Sequence, residues 1–436
     1  MAAARRLTLT ALLVGAVGVA LVSARASRGV EATPARRLTE VEVIELDLAF
    51  YHERIARDSL AARDHAELAR LYLQRARTVG AEGDLARAER HARRSLALRS
   101  GRNEEAFQVL AASLVGRHRF VEARGIAERL VAMDPAARPA RAMLGEIQLE
   151  LGAYDDARRT FGALQTVRGD LSIAPRYARW EEIRGRPAET RRLLRLARDE
   201  AARRHGMPAA RLAWFHWRLG DLALRHGRLD EAERELTTGL SIAPGDHRLL
   251  DGLARLAMAR HRWREAIDLG ERAIARALDP GTLALLSLGY AAIGDGARSA
   301  EYDRAMSVAV GAQSDQFHRG WSLHLLDHGR DVPAVLARAQ EEIRSRRDVY
   351  GWDLLAWALH RSGRDAEAGE VMARALAMGT RDAMMRFHAG MIEAALGRRA
   401  AARRHLEAAL EINPRWHPFQ PRLARVALAR LSAGGD

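Results

Sequence analysis

The sequence has 436 residues, of which 48% are hydrophobic and only 5% aromatic, which is enough apolar material for a large core. The absence of cysteine excludes disulfides, a lipid-modified cysteine and thiolate metal sites. The net charge of +14 would suit a nucleic-acid-binding protein, but the 70 basic residues, all arginine, are interleaved with 56 acidic ones. Because binding to a nucleic-acid backbone needs clustered basic side chains, this pattern indicates solvated helix surfaces and no nucleic-acid partner.

Residues 1–26 have the pattern of an export signal. Arg5 and Arg6 precede an apolar run at residues 7–22, and small residues follow at Ala24 and Ala26. The run is shorter than the about 20 apolar residues of a membrane-spanning helix, which favours cleavage. An uncleaved membrane anchor is the alternative. In either case we expect the protein to be exported, to the periplasm or another extracytoplasmic location.

Residues 27–64 are predicted to form a polar tether and an N-terminal capping helix. Thr39 is a suitable N-cap for a helix that runs from Glu40 to about Asp58. The apolar positions that we expect to face inward are Val43, Leu46, Phe50 and Tyr51.

The unit at residues 211–244 sets the pattern for the rest of the chain. Its first half has apolar residues at helical spacing and ends at Gly227, which accepts the left-handed conformation that closes a helix. Its second half begins near Leu229, carries Ala232 on its apolar face and stops at Pro244. Two short amphipathic helices of this kind cannot bury their apolar faces alone, so the unit requires copies on either side.

The copies are visible as a small residue that recurs in the second helix of each unit. Successive positions differ by 35, 34, 33, 42, 34, 33, 35, 34 and 34 residues, and they are Ala88, Ala123, Ala157, Thr190, Ala232, Ala266, Ser299, Ala334, Ala368 and Ala402. A small side chain is needed where the two helices of a hairpin cross closely. The eight-residue surplus after Thr190 predicts a longer second helix there, and Pro333 marks the unit of Ala334 as degenerate.

At this period and register, residues 65–416 resemble the tetratricopeptide repeat family. The resemblance implies an all-α fold: a right-handed α-solenoid of about ten helical hairpins. Residues 417–436 are expected to hold a C-terminal capping helix and tail, with Leu423, Val426, Ala427 and Leu431 on its apolar side.

In this family the first helices line a concave groove, so the resemblance also implies where a partner binds. We expect a non-catalytic scaffold that has no cofactor and holds a protein or peptide partner in that groove. Aromatic and arginine side chains suit such a surface because they offer contact area and bidentate hydrogen bonds. The candidate groove residues are Trp214, Trp217, Asp221, Arg248, Arg255, Tyr350, Asp353, Trp357, His360 and Phe387.

The alternative from another functional class is a metal-dependent or enzymatic module. His324 and His328 are four residues apart, which places them on one side of a helix, and His318 is close in sequence. The glutamate of the metalloprotease motif is absent, and a polar turn beside Gly329 explains the two histidines equally well.

Overall fold

The computed structural model describes residues 38–80, 83–312 and 319–433. Within these ranges the protein is all-α, with one short 3₁₀ turn at Gln165–Val167 and no strand. The predicted export segment at residues 1–26 lies outside the described residues. None of the helices in the described part of the chain is long and apolar enough to span a bilayer.

Twenty-two α-helices follow one another in the described ranges. They are α1 (Glu40–Arg57), α2 (Ala62–Val79), α3 (Gly83–Leu98), α4 (Glu104–Gly116), α5 (Phe120–Met133), α6 (Arg138–Glu150), α7 (Tyr154–Gly162), α8 (Ala174–Ile183), α9 (Pro187–Arg203), α10 (Ala209–Arg225), α11 (Leu229–Ile242), α12 (His247–Ala259), α13 (Trp263–Ile274), α14 (Pro280–Ala292), α15 (Gly296–Ala312), α16 (Arg319–Asp327), α17 (Val332–Glu342), α18 (Val349–Arg361), α19 (Asp365–Leu376), α20 (Ala383–Ala395), α21 (Arg399–Ile412) and α22 (Gln420–Ala433).

Helices α2 to α21 pair into ten consecutive antiparallel hairpins, which confirms the predicted solenoid. The hairpin α10–α11 shows why the small residues are needed. Ala232 is completely buried at the crossing, and Gly220 on the facing helix leaves room for Leu236. A Cβ atom on Gly220 would lie only 2.6 Å from the Leu236 Cγ atom, so the two helices could not approach as closely.

The predicted register holds in most hairpins and is wrong in one. Eight of the ten marker residues, including Thr190, are fully buried, whereas Ser299 is half-buried and Ala334 is exposed. Pro333 occupies the first turn of α17, and the N-cap residue Asp331 has φ of +49°, so the chain enters this helix through a left-handed backbone conformation. Val335, one position later, is buried in place of Ala334.

The two terminal helices form as expected, but their inward faces differ from the prediction. In α1, Thr39 and Glu42 form a reciprocal capping box, whereas Val43, Leu46 and Phe50, which were predicted to face inward, are exposed. Ile44 and Leu48 are the residues that pack on the first hairpin, because they lie one turn apart on the side facing α2. In α22, Leu423 and Val426 are likewise exposed, and Ala424, Ala427, Leu428 and Leu431 face the core.

The even-numbered helices form the inner layer of the solenoid. Most of them contact the next even-numbered helix as well as their own hairpin partner. Helices that contact their equivalents in successive hairpins lie on the shorter arc of a curved array. The first helix of each hairpin therefore faces the axis, as the family resemblance implies.

The superhelix contacts itself after one turn, along a line that we call the seam. The seam lies within the compact unit formed by residues 44–436. Hydrogen bonds cross it between residues 189 to 197 positions apart. The first helix of one hairpin thus meets, end to end, the first helix of the hairpin six positions later, as α8 meets α20. In the same way α10 is followed by the terminal helix α22.

The seam satisfies helix-end carbonyl groups that have no partner inside their own helix. The Thr380 hydroxyl donates to the Ile183 carbonyl at 2.6 Å, at the end of α8. The Asn413 side-chain amide donates to the Leu224 carbonyl at 2.9 Å, at the end of α10. The Tyr154 hydroxyl accepts a hydrogen bond from the Val349 N–H group at 2.8 Å. The second turn therefore caps the ends of α8 and α10 in the first turn, and Tyr154 of the first turn caps the start of α18 in the second.

Candidate functional site

Two cavities lie on the inner side of the superhelix. Cavity 1, of about 560 Å³, is bounded by α2, α3 and α4 on one side and by α10 and α12 to α14 on the other. Cavity 2, of about 350 Å³, is bounded by α10, α12, α14, α16, α20 and the segment between α21 and α22. Arg255 borders both cavities and is half-exposed, so a single guanidinium group lies between them.

Four of the predicted groove residues border these cavities. Trp217 and Arg248 line cavity 1, Asp221 lines cavity 2, and Arg255 lines both. Trp217 is half-buried, and the Arg248 guanidinium carbon lies 6.0 Å from the centre of its ring. An accessible indole beside arginine is a favourable anchor for a partner side chain.

The arginines at the cavities are mostly held by acids of this chain. Arg248 donates to Asp246 at 2.6 Å, and Arg255 donates to Asp251 at 2.6 Å. The charge of Asp251 raises the pKa of Arg255, which therefore stays charged. These pairs fix the guanidinium groups in place and neutralise part of the surface.

Trp214 and Tyr350 are half-buried, away from the two cavities. Trp214 packs edge-on against Phe215, with ring centres 5.1 Å apart. Tyr350 is placed between two guanidinium groups, with the Arg179 and Arg319 carbons 5.0 and 5.3 Å from its ring centre. Since Arg179 belongs to α8 and Tyr350 to α18, this stack crosses the seam.

Three predicted groove residues are in the core, and their assignment is corrected. Asp353, Trp357 and Phe387 are 0%, 3% and 1% exposed. The Trp357 ring stacks on His388 at 4.3 Å, because α18 and α20 pack against each other at this point. Burial removes all three side chains from any surface that a partner could contact.

The tenth predicted residue, His360, lies at the end of α18. Its ring packs beside Trp357, with centres 5.0 Å apart, and its Nδ1 atom is 2.5 Å from an Asp365 carboxylate oxygen. His360 thus has a structural contact of its own and lies away from both cavities.

A buried carboxylate that the sequence analysis missed organises the inner face of α8 and α10. Glu182 is 5% exposed and forms ion pairs with Arg179, Arg218 and Arg225. Burial alone would raise its pKa, but the three guanidinium charges hold the pKa of Glu182 well below its ordinary value. The sequence could have placed Glu182 on the inner helix of its unit. The convergence of three arginines on it depended on the packing of the neighbouring hairpin.

The histidines of the alternative hypothesis are held by other contacts. The His324 Nε2 atom is 3.1 Å from the Asp303 carboxylate, and the His328 Nδ1 atom is 2.8 Å from the His324 carbonyl oxygen. Burial, and then the neighbouring His328, lower the pKa of His324 to about 4, which keeps its ring neutral. His318 lies outside the described residues. In the described ranges no group of three or more His, Cys, Asp or Glu side chains has the arrangement of a metal site.

Comparisons with known proteins identify the repeat. A tetratricopeptide repeat family model matches residues 114–170, and a second matches residues 385–415. No curated protein matches the sequence.

Three solved structures illustrate the structural likeness. Yeast Tom70 is 10% identical, with 90% of this chain and 94% of that chain covered and a TM-score of 0.37. PilW, a widely conserved type IV pilus biogenesis factor, is 20% identical, with 52% and 99% covered and a TM-score of 0.40. A tetratricopeptide repeat protein from Parabacteroides merdae is 15% identical, with 56% and 92% covered and a TM-score of 0.39. With TM-scores below 0.5, these likenesses carry no argument about function.

The matched segments include the hairpins α6–α7 and α20–α21, and the same hairpin occurs ten times in the described ranges. Proteins built from this repeat are generally non-catalytic and serve as scaffolds for protein interactions. This chain is a tetratricopeptide repeat protein.

Proposed function

We propose that the protein is a non-catalytic scaffold that binds a protein or peptide partner on the inner surface of its superhelix. The observation that carries the proposal is cavity 1, where the half-buried Trp217 lies beside Arg248 on a surface of fixed shape. An aromatic anchor with adjacent charged groups is typical of residues that dominate binding energy. The rigid hairpins supply the geometry, so the partner binds without the surface having to order itself first.

Trp217→Ala should reduce partner capture by about tenfold or more, because it removes the aromatic anchor from cavity 1. The measurement is a pull-down from native cell extract with the full-length protein, with captured proteins quantified by mass spectrometry. Trp263→Ala is the matched control, since Trp263 is a half-buried tryptophan on an outer helix, away from both cavities. Equal capture by wild type and Trp217→Ala, with circular dichroism unchanged, would remove cavity 1 from the partner-binding surface.

We further propose that the scaffold acts outside the cytoplasm, after export directed by residues 1–26. The support is the apolar run at residues 7–22 between Arg5–Arg6 and the small residues Ala24 and Ala26. The expected result is a mature protein in the cell envelope whose N-terminus follows Ala24 or Ala26, determined by N-terminal sequencing. Recovery of the uncleaved chain from the membrane fraction would favour the anchored form, and recovery from the cytosol would exclude export.

A further inference from the structure

Arg77 differs from Arg70 and Arg75 of the same helix α2. Arg70 pairs with Glu67, and Arg75 donates to both Asp84 and Glu45. The Arg77 side chain is exposed into cavity 1, and within the residues that the structure describes it has no hydrogen bond and no ion pair. Its guanidinium group is therefore available to a ligand in the cavity.

The surroundings of Arg77 carry excess positive charge. Arg176 and Arg211, on the inner helices α8 and α10, act on it electrostatically, and Glu146 is the one acid that acts on it in return. Glu146 already accepts a hydrogen bond from Arg176 at 2.8 Å. No ion pair of Arg211 exists within the described ranges. Arg77 faces the open cavity, but the cavity walls exclude much of the water around it. This desolvation, followed by the charges of Arg176 and Arg211, lowers the pKa of Arg77, as expected for a cation without a counter-charge.

The rest of cavity 1 is apolar or paired, apart from one carboxylate, Asp279. Asp279 accepts hydrogen bonds from the Thr282 N–H and hydroxyl groups, and its charge acts on Arg255 and His247, whereas Glu146 is the acid that acts on Arg77. Leu73, Ala76 and Val115 supply an apolar wall, opposite the ring of Trp217. Arg248 and Arg255 bring no uncompensated charge, because each is paired with an aspartate. Among the described residues, the cavity thus combines apolar contact area with one unpaired positive region at Arg77, and its one unpaired acid, Asp279, acts on Arg255 instead.

From this arrangement we propose that cavity 1 binds an acidic, extended segment of the protein partner, with a side-chain carboxylate of that segment held by Arg77. An apolar side chain of the same segment packs on Trp217, and the segment continues past Arg255 towards cavity 2. The inference rests on the proposed scaffold function and specifies the chemistry of its partner. A carboxylate relieves the repulsion among Arg77, Arg176 and Arg211, and arginine binds carboxylates through two parallel hydrogen bonds.

The test compares three pools of peptides of about a dozen residues, a length suited to an extended segment. Each pool is acetylated and amidated at its ends, so that only side-chain charge differs. Apolar residues alternate with Asp and Glu in the first pool, with Asn and Gln in the second and with Arg in the third. Retention on the immobilised full-length protein is quantified by mass spectrometry. We expect the acidic pool to be retained at least about tenfold better than the amide pool, the effect of one charged hydrogen-bonded contact.

Arg77→Gln should abolish the preference for the acidic pool while leaving retention of the amide pool unchanged. Arg94→Gln is the matched control, because Arg94 is an exposed arginine on the outer helix α3, away from both cavities. Equal retention of the acidic and amide pools, or an acidic preference that survives Arg77→Gln, overturns the inference. If peptides are retained in either of these cases and Trp217→Ala reduces their retention, the scaffold function stands without the acidic specificity. If no pool is retained, the inference and the peptide-binding function fall together.

Discussion

Gly185→Ala should open the seam and lower the free energy of unfolding by about 2–4 kcal/mol. Gly185 has φ of +68°, a conformation that costs a residue with a Cβ atom about 1–2 kcal/mol. The added Cβ atom would also lie 2.1 Å from the Gly379 carbonyl oxygen on the other side of the seam. The two turns must then separate at this point, and the Thr380–Ile183 hydrogen bond, worth about 1 kcal/mol, is lost.

Gly363→Ala separates these two costs. Gly363 has φ of +79°, but an added Cβ atom there would have no neighbour within 4 Å. This variant should therefore show only the backbone cost of about 1–2 kcal/mol and keep the seam closed. Chemical denaturation measures stability, and small-angle scattering measures the radius of gyration. We expect the radius of gyration to increase in Gly185→Ala and to stay unchanged in Gly363→Ala. If the two substitutions change the radius and the stability equally, the seam contributes little to the stability of the fold.

Asp353→Ala should destabilise the protein by about 3–5 kcal/mol, the range found when one member of a buried ion pair is removed. Asp353, on α18, is fully buried and links its own hairpin to the hairpins before and after it. Arg319 donates to one of its oxygens at 2.6 Å, and the other lies 2.8 Å from the His388 Nδ1 atom. Without the carboxylate, the Arg319 guanidinium loses its counter-charge, and the buried His388 ring loses its hydrogen-bond partner.

The stability difference between wild type and Asp353→Ala should also depend on pH. Burial would raise the pKa of Asp353, but the charges and hydrogen bonds of His388 and Arg319 hold it below the ordinary 3.8. Because the folded-state pKa is depressed, this contribution is complete above about pH 4 and is lost as pH falls through the folded-state value. Urea denaturation at several pH values measures the difference. Glu367→Ala, which removes an exposed acid paired with Arg364, should leave the denaturation midpoint unchanged.

The repeat hairpin could be predicted from the sequence because its determinants are local. Gly227 ends α10 in the left-handed conformation, and Ala232 is fully buried at the helix crossing, as the register required. The prediction failed at Ala334, where Pro333 and the turn at Asp331 override the register. It also failed on α1, where a single terminal helix offers two apolar stripes and its packing against α2 selects Ile44 and Leu48.

The binding surface could be predicted only in part, because exposure depends on neighbouring hairpins. Trp217 and Trp357 both lie on inner helices, yet Trp217 borders a cavity while Trp357 is covered by His388. No pattern within one repeat distinguishes these two cases. The seam could not be predicted from the sequence either, since it joins positions nearly 200 residues apart and depends on the pitch of the superhelix. Arg77 was missed for the same reason.

The seam also affects how the protein folds. An open repeat array is quasi-one-dimensional, so its terminal units fray and its stability is a sum over nearest neighbours. Here the carbonyl end of α8 depends on Thr380, and the end of α10 depends on Asn413. Loss of the last hairpin therefore removes caps from the middle of the chain as well. The two turns behave as one cooperative unit, in which late-synthesised repeats complete the stability of those made first.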